Sequence, residues 1–224
     1  MEAMGGVSVD EKEDDSFRWM FTNNGVFSVK SCYDLFKSSL SGPPLDSKKV
    51  LALSFLWNCK VPSKILVFGW RFIHNRLATK DQLVRRGVLV EGSESLCSMC
   101  KEKEEDILHL FFKCDSSCSI WRRVYMWLDL ANYLSFEDFE DFFINYDKLP
   151  VNKRMMVAII WLATAWSIWS KRNAVIFRKE SFNFTECMSE IIHNSWRWFS
   201  SFQKKKNVCN FYLWNIRPLD CSES

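Results

Sequence analysis

The chain has 224 residues, 48% of them hydrophobic and 25% charged, and a formal charge of only +3. That much apolar surface excludes disorder over most of the chain, and the length excludes a small staple-dependent scaffold; it suits one large domain or two small ones. Only seven glycines and five prolines argue against a turn-rich all-β fold, while 16% aromatics with 11 tryptophans must be assigned to core, base-stacking surface or membrane contact.

Taken in chain order, residues 1–15 hold six acids and one lysine. That composition is unlike a secretory signal or a mitochondrial transit peptide. Phe21–Val29 places an Asn-Gly pair between apolar flanks, which predicts a short hairpin. Ser28 can cap a helix to about Ser38, and Ser41-Gly-Pro-Pro-Leu45 reads as a loop. A second helix is predicted over about Lys48–Trp57. Pro62 starts a third, to about Asn75, in which Ile65, Phe68 and Phe72 follow the spacing of an apolar face. Lys64 and Arg71, seven positions apart, share another face. Thr79 with Gln82 reads as a capping box and Gly87 as a stop, giving a short helix over 80–86. Ser135 and Asp138 repeat the capping pattern for a helix near 136–146. Pro150 opens a long helix over 151–178, and another runs from about Thr185 to Lys205. The last dozen residues suggest a short strand and a frayed tail.

The small net charge hides opposed blocks. Residues 56–90 carry seven bases against Asp81, whereas 129–147 hold six acids and no base. Residues 171–206 are basic again. Nine cysteines, an odd and irregularly spaced set without a secretory signal, indicate a reducing, intracellular compartment, nuclear or cytoplasmic, with free thiols or metal ligands rather than disulfides. The uncharged run Met155–Ser170 falls just short of the roughly 17–25 residues of a spanning helix, so it reads as a buried core helix and not a membrane anchor.

One constellation carries chemistry. Cys97-Ser-Met-Cys100 is followed after eight residues by His109 and after four more by Cys114. Zinc takes four tetrahedral nitrogen or sulfur ligands, and a structural site fills all four positions with protein. Cys114 lies five positions beyond His109, about 500° around an ideal helix, so the helix must end or loosen near Lys113 for both side chains to converge. Cys118 would fall on the far side of a continued helix and ranks below Cys114, though it remains a possible substitute.

Around this motif the sequence resembles the plant reverse-transcriptase zinc-binding domain, found at the carboxyl end of non-LTR retrotransposon polyproteins and in stand-alone remnants of them. The matching residues are Trp19, Gly25 and Phe27-Ser-Val-Lys-Ser-Cys-Tyr33; Trp57, Pro62, Lys64, Phe68, Trp70 and Arg71; Arg76-Leu77, Thr79, Leu83 and Arg85-Arg86-Gly87; and Cys97, Cys100, Glu105-Asp106, His109-Leu-Phe-Phe-Lys-Cys114 and Trp121. Trp166, Trp169, Arg172-Asn173 and Phe177, with Ser195-Trp196-x-Trp198, are similar to the connector that follows in such proteins. The resemblance implies zinc ligands Cys97, Cys100, His109 and Cys114. Charge pattern and resemblance together divide the chain into an acidic disordered tail over 1–16, the zinc-binding domain over 17–128, a helical connector over 129–206 and a tail over 207–224. The expected fold is all-α with a short N-terminal hairpin and a small zinc knuckle between helices.

Catalysis is not expected. The sequence has no Tyr/Phe-x-Asp-Asp polymerase motif, and the acids after residue 150 do not supply the spaced carboxylates of an RNase H site. His74 and His193 have no recognisable nucleophile partner. The expected function is a retrotransposon-derived module with a structural Zn2+ that binds RNA or DNA, with Lys64, Arg71, Arg76, Arg85 and Arg86 as the candidate phosphate contacts. The alternatives are a merely solvated basic face, or a non-catalytic interaction module that docks on other parts of a retroelement polyprotein.

Overall fold

A computed structural model describes residues 18–39, 47–89, 95–130, 146, 148–202 and 209–222. The acidic N-terminal segment, the loop at 41–45, the expected helix near 136–146 apart from its last residue, and Lys204–Lys206 lie outside them. The chain divides into two units, residues 1–45 and 46–224.

In the first unit the expected turn is present, but its flanks do not pair as strands. The Trp19 N–H donates to the Gly25 carbonyl at 2.8 Å, and the Gly25 N–H to Thr22 at 3.1 Å. Gly25 has φ +68°, a conformation that costs glycine little. Trp19 then packs edge-on against Phe21 and Phe27, with centroids 5.1 and 5.0 Å away. Aromatic packing across a single turn thus replaces a ladder. The helix α1 (Val29–Ser39) follows. Ser28 and Ser31 cap it reciprocally: Ser28 Oγ accepts from the Ser31 N–H at 3.0 Å, and Ser31 Oγ accepts from the Ser28 N–H at 3.2 Å.

The second unit begins with α2 (Ser47–Asn58) and α3 (Ser63–Ile73). Pro62 precedes α3, where a missing N–H costs nothing. The predicted stripe Ile65, Phe68 and Phe72 is buried, with Gly69 and Ile73 beside it. A Cβ on Gly69 would sit 2.5 Å from Leu56 Cδ1, so glycine permits the close approach of α2 and α3.

The short α4 (Lys80–Arg85) ends as predicted at Gly87, φ +69°. Val88 N–H reaches the Leu83 carbonyl and Gly87 N–H the Val84 carbonyl, both at 2.9 Å, which is a Schellman closure. Its start differs from expectation. Thr79 makes no side-chain cap bond. The first N–H groups of α4 are taken instead by Glu105: Lys80 N–H by its carboxylate at 3.1 Å and Asp81 N–H by its carbonyl at 3.1 Å.

A π-helical turn (His109–Lys113) leads into α5 (Asp115–Trp127). The long α6 (Val151–Phe177) is buried almost without interruption from Met156 to Ala165, as a core helix should be. Thr164 satisfies its buried hydroxyl by donating to the Ile160 carbonyl at 2.8 Å. Among the described residues no helix is long and apolar enough to cross a membrane. The helix α7 (Phe184–Phe202) is capped by Asn183, whose Oδ1 accepts from the Glu186 N–H at 3.1 Å. Lys171 on α6 bridges Glu186 and Glu190 on α7 at 3.0 and 2.8 Å.

The C-terminal residues correct two expectations. They are helical, as α8 (Phe211–Ile216) and a 3-10 turn (Pro218–Ser222), not a strand and frayed tail. Cys209 and Cys221 form a disulfide, although the odd cysteine count suggested free thiols. Trp214 accounts for the helical form. It is fully buried, stacks on Phe199 at 4.5 Å and donates from Nε1 to Ser195 Oγ at 3.1 Å. Tertiary burial of one aromatic outweighs weak local propensity.

Candidate metal centre

The four predicted ligands converge. One donor atom each from Cys97, Cys100, His109 and Cys114 lies within 4.8 Å of every other. The Cys97 and Cys114 sulfurs are 3.9 Å apart, and Cys100 Sγ is 3.2 Å from His109 Nε2. A tetrahedron with zinc–sulfur bonds of about 2.3 Å has sulfur–sulfur edges of about 3.8 Å, so the donor set fits zinc in both chemistry and spacing.

Local backbone geometry builds this site. In the Cys97–Cys100 turn, the Lys101 N–H returns to the Cys97 carbonyl at 2.8 Å and Lys101 takes φ +62°. The Cys97 N–H donates to the Lys103 carbonyl at 2.7 Å, and an antiparallel bridge joins Leu96 to Glu104. Asp106 Oδ1 accepts from the His109 N–H at 2.6 Å and holds the histidine-bearing turn. The loosening required near Lys113 is the π-turn, closed by the Cys114 N–H on the His109 carbonyl at 2.7 Å. That i→i+5 bond brings a residue five positions on back towards the same face, which an α-helical turn would not do.

Cys118 is not in the cluster. Its thiol donates to the Phe112 carbonyl at 3.0 Å. Cys97 and Cys114 are fully buried. A thiol hydrogen bond between them holds Cys97 well above the ordinary thiol range and Cys114 below it, with burial raising both. Burial lowers the His109 imidazole, favouring the neutral form that a metal needs.

Behind the knuckle lies an ion pair that the sequence motif did not reveal. Arg172 on α6 donates through Nε to Glu105 Oε1 at 3.0 Å and through Nη2 to the same oxygen. Glu105 is fully buried and Arg172 2% exposed. The other carboxylate oxygen accepts from the Ser98 N–H, inside the Cys97–Cys100 turn, at 3.3 Å. Arg172 Nη2 also donates to the Ala78 carbonyl at 3.1 Å, and its guanidinium lies 4.8 Å from the Trp169 ring centroid. One signal was available: Arg172 lies four positions beyond Ile168 on the buried stripe of α6, where a base needs a partner.

Four of the five candidate phosphate contacts share one groove. Lys64, Arg71, Arg76 and Arg86 line a cleft of about 480 Å³ with Trp70 and Trp169. Arg85, exposed on the last turn of α4, is not among the lining residues. Phe68 and Phe72 are core, as their spacing predicts. The Lys64 ammonium lies 5.5 Å from the Trp166 ring centroid and the Arg76 guanidinium 5.5 Å from that of Trp70. Among the described residues none of the five cations is ion-paired with a carboxylate.

Comparison with known proteins agrees with the geometry. Residues 27–121 match the family described as zinc-binding in reverse transcriptase. An Arabidopsis thaliana protein named as a ribonuclease H protein is 24% identical over 178 residues, which are 79% of this chain and 27% of that protein. The chain thus matches only about a quarter of that relative's length. No solved structure matches. The candidate ligands thus converge, on the spacing that zinc requires, inside the segment that is similar to the zinc-binding domains of reverse transcriptases.

Proposed function

We propose that the chain is a non-catalytic nucleic-acid-binding module whose zinc is structural. The observation that carries this reading is the groove, where Lys64, Arg71, Arg76 and Arg86 converge beside Trp70 and Trp169, without carboxylate partners among the described residues. Phosphate backbones take cations, and indole faces or edges can meet unstacked bases, so the groove suits single-stranded RNA or DNA. Zinc, held by Cys97, Cys100, His109 and Cys114, supplies a crosslink between the knuckle and the turn before α5, and leaves no coordination position for substrate. The absence of polymerase and RNase H carboxylate motifs from the sequence supports a role without those chemistries.

The test is fluorescence anisotropy with a labelled single-stranded RNA across a salt series. For each groove cation changed to alanine, the log–log salt slope should fall by about 0.7. An unchanged slope for the combined Lys64→Ala, Arg71→Ala, Arg76→Ala and Arg86→Ala protein rejects the groove. A second reading, a protein-interaction module docking within a retroelement polyprotein, is favoured by the exposure of Met20, Phe21, Phe27, Tyr33 and Phe36 in the first unit. An RNA-indifferent oligomer in the same preparation would select it.

A further inference from the structure

The zinc turn and the cationic groove share one buried carboxylate. Glu105 Oε2 accepts from the Ser98 N–H between two zinc ligands. Its Oε1 accepts from the Lys80 N–H at the start of α4, the helix that carries Arg86 to the groove. The same oxygen binds Arg172. Arg172 in turn holds two parts of the groove wall, the Ala78 carbonyl at 3.1 Å and the Trp169 ring at 4.8 Å. The Glu105 carbonyl adds a bond to the Asp81 N–H. Every partner is a group that costs free energy when buried without a hydrogen bond, so Glu105 cannot shift without disturbing both sites.

We infer that Glu105 and Arg172 are positioning residues that make the shape of the groove depend on the zinc turn, so that metal occupancy regulates nucleic-acid binding. Neither residue belongs to the cluster of candidate ligands, and neither is among the groove's cationic candidates. Ordering of the Cys97–Cys100 turn by metal fixes the Ser98 N–H. That fixes the Glu105 carboxylate, and through it the first turn of α4 and the Arg172 guanidinium under Trp169. Regulation of nucleic-acid affinity rests on the function proposed above, whereas the mechanical link does not.

Hydrogen–deuterium exchange on the full chain, zinc-loaded and chelator-stripped, reads the link without any ligand. Stripping should raise exchange in peptides covering 77–86 as well as in those covering 95–118, while α7 stays protected. Increases confined to 95–118, or uniform over the whole chain, overturn the inference. Glu105→Gln should raise exchange over 77–86 and weaken zinc affinity, while keeping the metal content of the wild type at saturating zinc, because the four ligands remain. If that variant does not fold, the wild-type comparison still decides. Stripping should also weaken binding of a labelled single-stranded RNA about tenfold, within the usual range of coupling between two sites. Unchanged affinity in a protein that binds RNA overturns the regulation. A wild type that binds no RNA, yet shows the exchange pattern, overturns the nucleic-acid reading and its regulation and leaves the link standing.

Discussion

Cys118 and Cys114 lie four residues apart, yet only one sulfur faces the other ligands. The π-turn rotates Cys114 into the cluster, and α5 then carries Cys118 away towards the Phe112 carbonyl. Cys118→Ser should therefore retain the zinc content of the wild type, while Cys114→Ser and Cys100→Ser should lose most of it on metal analysis of purified protein. Zinc loss in Cys118→Ser would reassign the fourth ligand. The reason for the difference is geometric. Three sulfurs and an imidazole satisfy a tetrahedron, and losing one leaves an open position that water fills poorly in a buried site. The ligand set was legible in the sequence because spacing restricts it: two intervening residues suit a turn, and five positions force a helix to loosen. Glu105 and Arg172 each stood out only as positions of the resemblance, with nothing to join them. They lie 67 positions apart, and no local pattern encodes such a pair.

At the scale of elements, the glycines at 69 and 87 differ in what they permit. Gly69 permits contact with Leu56, whereas a Cβ at Gly87 would meet nothing within 4 Å. The only obstacle at Gly87 is its φ of +69°. Gly87→Ala should cost about 1 kcal/mol in urea unfolding, from the left-handed conformation alone. Gly87→Asn should cost less, because asparagine tolerates that region better. Equal stability of the alanine variant would mean that α4 can end another way. Helices with caps or apolar stripes of their own were legible in outline: α1 through Ser28, α3 through Ile65, Phe68 and Phe72, and α6 through its uncharged run. The start of α4 was not, since its cap comes from Glu105, 25 positions from Lys80. The helical form of 211–216 was not either, since it depends on the pocket that Trp214 fills.

Across the second unit, a zinc held by the four side chains would be one constraint among many. The apolar core runs through α2, α3, α5, α6 and α7, and includes Ile65, Phe72, Ile120, Ile160 and Ile191 as well as the ligands Cys97 and Cys114. A classical zinc finger has no such core and is unfolded without metal. Here the burial outside the knuckle should hold the helices together when zinc is gone. Far-ultraviolet circular dichroism of the chelated protein should keep most of its helical signal at 25 °C. The melting temperature should nevertheless fall, because metal that binds only the folded state stabilises it by mass action. A thousandfold excess over the dissociation constant contributes about 4 kcal/mol. For a chain of this size that is about 8–16 °C between zinc-loaded and stripped protein. Collapse of the helical signal on chelation would show that the core cannot stand alone, and the zinc would then be a condition of folding. Retention of both signal and melting temperature would show that the four side chains do not hold zinc in solution. The expected result lies between these, a folded chain with a disordered knuckle, and that is the state in which a connection from the zinc turn to the groove could regulate binding.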